Sequence, residues 1–248
     1  ALKSLGVQAG DRIATVAWNT YRHLELYYAV SGIGAICHTI NPRLPVEQFG
    51  YIVNHAKDQY IFLDLTFVPL LEKLQGLFEG VKGYVVMTDR AHMPETSLPN
   101  VMCYEELVGE QSDEMAWPEF DEHTASSLCY TSGTTGVPKG VMHQYKSMSA
   151  VGAKVIQVYN LEPSDRMISY LPLSHVAERA AVEMALLYVG NTVYFAESLD
   201  TFGEDIKRAK PTLFFAVPRI WSKFYQKASE ALPPKKLNTL LKIPLLNK

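Results

Sequence analysis

The sequence predicts an α/β fold in which parallel sheets are covered by helices. Two patterns and one bulk property carry that expectation. Short apolar, β-prone runs alternate with amphipathic runs of helical period along the chain. The rhythm resumes on both sides of one Gly/Ser/Thr-rich stretch, so a single architecture runs throughout, its sheets covered on both faces. The 248 residues, 48% apolar and 20% charged, are ample for one large core or two smaller lobes and unlike a disordered chain.

Taken in order, residues 12–18 (Arg-Ile-Ala-Thr-Val-Ala-Trp) follow the turn-like Ala9-Gly-Asp and read as a strand. Residues 20–30 read as a helix capped by Thr20, with Leu24, Tyr27 and Tyr28 on one face. Residues 34–40 are strand-like and stop at the breaker Asn41-Pro42. Residues 45–55 suit a helix that turns Val46, Phe49, Ile52 and Val53 inward. A strand over 60–63, a helix over 67–78 and a strand over 84–87 follow, and then a breaker-rich surface loop over 88–99. Residues 109–123 are acidic and read as a connector into a short buried strand, Ser126-Ser-Leu-Cys-Tyr130. Beyond the Gly-rich stretch, 146–159 suit a helix, 163–165 a turn, and 167–171 a strand ending at Pro172-Leu-Ser-His175. The remainder reads as a helix over 176–189, strand 192–195, helix 202–210, strand 212–217 closed by Pro218, and helix 219–231.

The stretch Tyr130-Thr-Ser-Gly-Thr-Thr-Gly-Val-Pro-Lys-Gly-Val141 concentrates hydroxyls, glycines and one lysine. Glycines let backbone amides approach a bulky anion, hydroxyls add donors, and Lys139 adds a cation, so residues 131–140 read as a phosphate-cradling loop. It is not a Walker A loop, because Pro138 precedes and Gly140 follows Lys139. Gly32-x-Gly34 is no dinucleotide fingerprint either, since Cys37 stands where its third glycine belongs.

A net charge of −3 gives no general electrostatic reason to bind nucleic acid. Three scattered cysteines, Cys37, Cys103 and Cys129, suit buried thiols in a reducing compartment, and a cytoplasmic location is expected. The seven histidines show no ligand spacing, and no zinc site is expected. The most apolar run, 26–40, is too short to span a membrane and is broken by Ser31, Gly32, Gly34 and His38. No signal peptide is visible. The chain opens Ala-Leu-Lys-Ser without Met and closes Leu-Leu-Asn-Lys248, and it reads as a fragment.

Residues 131–140 match the signature loop of the adenylate-forming (AMP-binding) superfamily, hydroxyl-Ser-Gly-Thr-Thr-Gly-x-Pro-Lys-Gly. Ser169-Tyr-Leu-Pro-Leu-Ser-His-Val-Ala-Glu-Arg179 resembles the second core motif of acyl-CoA synthetases, Ala216-Val-Pro-Arg-Ile-Trp221 resembles their next strand end, and His38-Thr-Ile-Asn-Pro-Arg-Leu44 is similar to a stretch of fatty acyl-CoA ligases. The resemblance implies that residues 1–248 are part of the large N-terminal AMP-binding domain of an acyl-CoA synthetase-like fold, without the C-terminal lid. It implies a fatty-acid–CoA ligase using ATP, Mg²⁺ and CoA.

By the same resemblance, Thr131 reaches the metal or phosphate oxygens, while Ser132, Gly133, Thr134, Thr135 and Gly136 cradle the β,γ-phosphates. Lys139 is a phosphate contact or a solvated lysine, and His175 lies near the α-phosphate and substrate carboxylate or is a packed turn residue. Val217 and Trp221 border the acyl tunnel or belong to plain core. Glu178 and Arg179 read as ordinary surface charges at a helix start, because adjacent helical residues do not face each other.

The chain departs from the family at His143-Gln-Tyr145, where relatives carry an apolar residue and a Ser/Thr-His pair. Its first half resembles medium-chain ligases, whereas 172–179 and 218–224 resemble long-chain ones, so acyl length stays open. The Tyr-Gly-x-Thr-Glu segment, the ribose-binding Asp and the adenylation lysine are not in these 248 residues, and the chain alone is expected to be inactive or nearly so. Alternatives are an aryl- or amino-acid-activating relative and a non-catalytic nucleotide-binding module. Peripheral membrane association, suggested by a greasy substrate and by 237–246, and a homodimer are further expectations.

Overall fold

The computed structural model describes residues 1–131, 136–198 and 200–231, together with 236 and 239. The chain forms two compact units, Ala1–Thr212 and Leu213–Lys248. The first holds strands β1 (Arg12–Val16), β2 (Ile36–Thr39), β3 (Asp58–Leu63), β4 (Gly83–Val86), β5 (Val101–Cys103), β6 (Ala125–Thr131), β7 (Lys139–Gln144), β8 (Arg166–Ser169) and β9 (Thr192–Phe195). Between them run α1 (Tyr21–Gly32), α2 (Val46–Ala56), α3 (Val68–Leu74), α4 (Tyr104–Gly109), α5 (Tyr145–Tyr159), α6 (Val176–Glu178), a π-helical turn Arg179–Met184, α7 (Ala185–Val189) and α8 (Phe202–Ala209).

Seven strands form one sheet in the order β5-β4-β3-β1-β2-β6-β7. β1 to β6 are parallel, and β7 closes one edge antiparallel to β6. Adjacent residues of the central strands feed opposite cores. Ile13, Cys37, Phe62 and Val85 pack with Leu26, Tyr27 and Val30 of α1 and Tyr104 of α4. Ala14, Val16, Ile61, Leu63 and Val86 pack with Phe49, Ile52 and Val53 of α2 and Leu71 and Leu74 of α3. Burial on both faces is what lets apolar side chains occupy consecutive positions, as at Ile13-Ala14, Ile36-Cys37 and Val85-Val86. β8 and β9 form a separate parallel pair, Arg166 opposite Thr192 through Ser169 opposite Phe195.

Several expectations are corrected. Thr20 does cap α1, accepting from the His23 amide at 3.3 Å, but the buried face is His23, Leu26, Tyr27 and Val30 rather than Leu24, Tyr27 and Tyr28. Val46 is 48% exposed at the start of α2 while Phe49, Ile52 and Val53 are buried. The helix expected over 67–78 is a short α3 between two 3₁₀ turns, Leu65–Phe67 and Gln75–Leu77. β5 and α4 extend the alternation where no element was expected, and β7 adds an antiparallel edge to the mainly parallel sheet. The helix expected over 176–189 is interrupted by the π turn, against which Gly152 of α5 packs: a Cβ there would lie 2.5 Å from Met184 Cβ. Residues 212–217 form no strand. Thr212 is instead tied to the start of β8, its hydroxyl donating to Asp165 at 2.6 Å and accepting from the Arg166 amide at 2.9 Å.

The second unit carries α9 (Pro218–Ala231). Phe214 packs on Trp221 and Phe224 at centroid distances of 5.5 and 6.0 Å. Except for Thr239, the segment 237–246 lies outside the described residues. No described helix is long and apolar enough to cross a membrane. All three cysteines are free and buried.

Candidate functional site

β6 delivers Thr131 to the carboxyl end of the sheet, and β7 returns with Lys139 directly opposite it. The base of the hairpin thus holds an exposed hydroxyl and an exposed ammonium side by side. Gly136 adopts φ +86°, a left-handed conformation that suits a residue without a Cβ. Ser132, Gly133, Thr134 and Thr135 lie outside the described residues, so the geometry of their cradle is not part of the site described. Below the loop, the Tyr130 ring is tilted against His38 at 5.1 Å, and its hydroxyl pairs with His55 Nδ1 at 2.7 Å. Burial pushes that phenol up to about 12.

His38 is itself fully buried and shares a 2.7 Å bond between Nδ1 and Asp58 Oδ2. Burial pushes the Asp58 carboxyl up, and His38 pulls against it. His38 Nε2 and Asp58 Oδ1 have no partner among the described residues.

His175 follows β8 on the turn Pro172-Leu-Ser, where its amide donates to Pro172 O at 3.0 Å and its side chain is exposed. The turn is fastened to the seven-stranded sheet. Leu173 O accepts from Tyr27 OH at 3.2 Å and from Thr39 Oγ1 at 3.0 Å. Thr39 ends β2, stands opposite Cys129 in β6, and lies 3.8 Å from its sulfur, two residues before Thr131. Both the His175 turn and the β6–β7 hairpin therefore sit at carboxyl ends of parallel strands, where open α/β sheets bind ligands.

Glu178 and Arg179, expected as surface charges, are buried, 2% and 3% exposed. The reason is that α6 folds back on the end of β8. Glu178 Oε1 accepts from Ser169 Oγ at 2.7 Å, the Tyr170 amide at 3.1 Å and Asn19 Nδ2 at 3.3 Å. Burial raises this carboxyl to about 7 despite those donors. The Arg179 guanidinium lies 4.0 Å from the centre of the Tyr27 ring and 3.4 Å from Glu183. Glu183 holds it charged against the cost of burial. Asn19, Tyr27 and Thr39 carried no functional signal in the sequence, and the Ser169…Glu178 contact is a tertiary one that spacing does not announce.

Val217 and Trp221 belong to the second unit, 40% and 52% exposed, Trp221 packed on Phe214 and Phe224. Among the described residues no group of three His, Cys, Asp or Glu side chains could hold a metal ion. Thr131, the residue that the resemblance assigns to a metal, is exposed at the base of the hairpin, and a hydroxyl there fits a contact to a phosphate-bound cation.

The family model described as "AMP-binding enzyme" matches residues 1–244. The chain is 39% identical over 225 residues to the medium-chain-fatty-acid–CoA ligase of Ectopseudomonas oleovorans, covering 89% of this chain and 41% of that protein. It is 40% identical over 232 residues to the 3-methylmercaptopropionyl-CoA ligase of Ruegeria lacuscaerulensis, covering 89% and 42%. The crystal structure of the anthranilate CoA ligase AuaEII with anthranoyl-AMP shares the fold, with a TM-score of 0.79 at 24% identity over 87% of this chain and 41% of that one. The chain thus spans about two-fifths of the length of these relatives.

Proposed function

The chain belongs to the AMP-binding enzyme family, and from that premise we propose that the complete protein is a fatty-acid–CoA ligase that forms AMP. The observation that carries the reading is the pairing of Thr131 with Lys139 beside a His175 turn tied to the same strand ends. The names of two relatives, a medium-chain-fatty-acid–CoA ligase and a 3-methylmercaptopropionyl-CoA ligase, support an aliphatic carboxylate as substrate.

A carboxylate is a poor acyl donor because its oxygen leaves badly. Its oxygen attacks the α-phosphate of ATP, the bond to the β-phosphate breaks, and acyl-AMP and pyrophosphate result. The thiol of CoA then attacks the acyl carbon and AMP leaves. In this scheme Ser132 to Gly136 hold the β,γ-phosphates through amides and hydroxyls, and Lys139 adds a point charge. His175 lies at the α-phosphate and substrate carboxylate, where a donor stabilises charge that grows in the transition state. Magnesium, when bound, neutralises the phosphates, and the Thr131 hydroxyl is the group of this chain assigned to it. Val217 and Trp221 are assigned to the wall of the acyl pocket. The 248-residue chain taken alone is expected to be inactive or nearly so.

The test is pyrophosphate release from ATP by the complete protein with fatty acids of graded length and a few aryl acids. Release that peaks at one fatty chain length and falls about 100-fold with His175→Ala is the expected result. Lys139→Ala is expected to act more weakly, about tenfold, as a point charge would. Nucleotide binding without release for any acid overturns the ligase reading.

A further inference from the structure

The turn that carries His175 is closed by a buried carboxylate to which the scheme above gives no part. Ser169 and Tyr170 stand before the turn and Glu178 after it; Ser169 Oγ, the Tyr170 amide and Asn19 Nδ2 donate to the single oxygen Oε1, and the Leu171 amide donates to the same carboxylate. One atom therefore draws the two ends of segment 169–178 together. Asn19 carries the constraint to the larger sheet: its Nδ2 also donates to Ser169 Oγ at 2.8 Å and to Leu171 O at 2.9 Å. Asn19 lies on the loop between β1 and α1, so the turn is pinned from the strand end that points at the hairpin side of the sheet.

No cation pays for this burial among the described residues. Arg179, next in sequence, is turned to Glu183 and Tyr27. An unpaired carboxylate at 2% exposure lowers the stability of the fold, and such costs are retained where they hold a functional group in place.

We propose that Glu178, together with Asn19, is a positioning residue that fixes segment 169–175 so that the His175 imidazole is presented at the carboxyl ends of the strands. The inference rests on the ligase reading for its catalytic consequence, though not for its structural one. Glu178 touches no reacting atom. It acts by accepting hydrogen bonds, three of them at Oε1, which the amide oxygen of glutamine can also accept.

The experiment compares Glu178→Gln, Glu178→Ala and Asn19→Ala with the parent in the complete protein. It follows pyrophosphate release, ATP affinity and amide hydrogen exchange over residues 170–175. Glu178→Ala is expected to lose about 10–100-fold in kcat, with ATP affinity unchanged and exchange in the turn accelerated. Glu178→Gln is expected to stay within about threefold of the parent, because the three donors that meet at Oε1 keep an acceptor in the amide oxygen. Asn19→Ala is expected to fall between and serves if Glu178→Ala does not fold. A glutamine variant as impaired as alanine overturns the proposal, and so does an alanine variant whose kcat and turn exchange match the parent. If the parent releases no pyrophosphate, the ligase reading falls, and the exchange rates alone then uphold or overturn the positioning role.

Discussion

Glu178 makes a measurable claim about stability as well as geometry. Its ordinary value of 4.5 is raised to about 7 by burial. Between those values the folded chain holds a proton that the unfolded chain has released, so stability declines as pH rises through the window and the loss is complete above it. The shift corresponds to about 3 kcal/mol. Glu178→Gln removes this decline. Relative to the parent, the variant should gain up to about 3 kcal/mol between pH 5 and pH 8 in denaturant unfolding. The Glu178 charge also raises the Glu183 carboxyl, so its removal relaxes Glu183 and acts in the same direction. Parallel curves for the two proteins would sink the assignment. The His38–Asp58 pair behaves differently, because its partners meet at 2.7 Å and neither touches solvent. His38→Leu leaves neither Asp58 oxygen a partner among the described residues. The expected loss is at least about 2 kcal/mol, read as a lowered urea midpoint at unchanged slope.

Elements divide between those whose pattern is local and those set by what they meet. The strands Arg12–Val16, Ile36–Thr39 and Gly83–Val86 were legible because each is a short β-prone run, rich in β-branched and apolar residues and bounded by breakers, as a strand buried on both faces requires. β7 was not, because Lys-Gly-Val-Met-His-Gln runs on from the glycine-rich motif and lies exposed at the sheet edge, where no alternation is imposed. Glu178 and Arg179 were misread for a related reason: local rules for a helix start know nothing of β8 folding back over it. The loop motif itself was plain in sequence, since its chemistry is written in consecutive residues. The π turn Arg179–Met184 is likewise invisible to a 3.6-residue pattern, yet it determines how α5 packs. Gly152 meets Met184 at the root of the side chain, where nothing can swing aside. Gly152→Ala gains about 1 kcal/mol in helix propensity but incurs overpacking of about 1–3 kcal/mol. Net destabilisation is therefore expected, whereas Gly203→Ala in α8, with nothing within 4 Å, should gain about 0.5 kcal/mol. Equal midpoints for the two variants in urea would show that the approach at Gly152 is not tight.

At the scale of the molecule, the clusters that line the seven-stranded sheet draw every described member from residues between Leu2 and Leu173. α8 returns Ala209 and Phe202 to burial, and Thr212 ends the first unit on hydrogen bonds to Asp165 and Arg166. In the second unit Val217, Trp221 and Tyr225 are exposed at 40%, 52% and 60%, and Phe214 packs on Trp221 and Phe224. Hydrophobic stabilisation scales with apolar area removed from water, so it is concentrated before residue 212. A chain ending at Thr212 should therefore retain a single cooperative thermal transition within about 5 °C of the 248-residue chain. α9 taken alone, 14 residues long and with Trp221 and Tyr225 exposed, should show little helix at 25 °C. Circular dichroism of the two pieces decides the matter. A truncated chain that melts without cooperativity would mean that the second unit supplies core to the first.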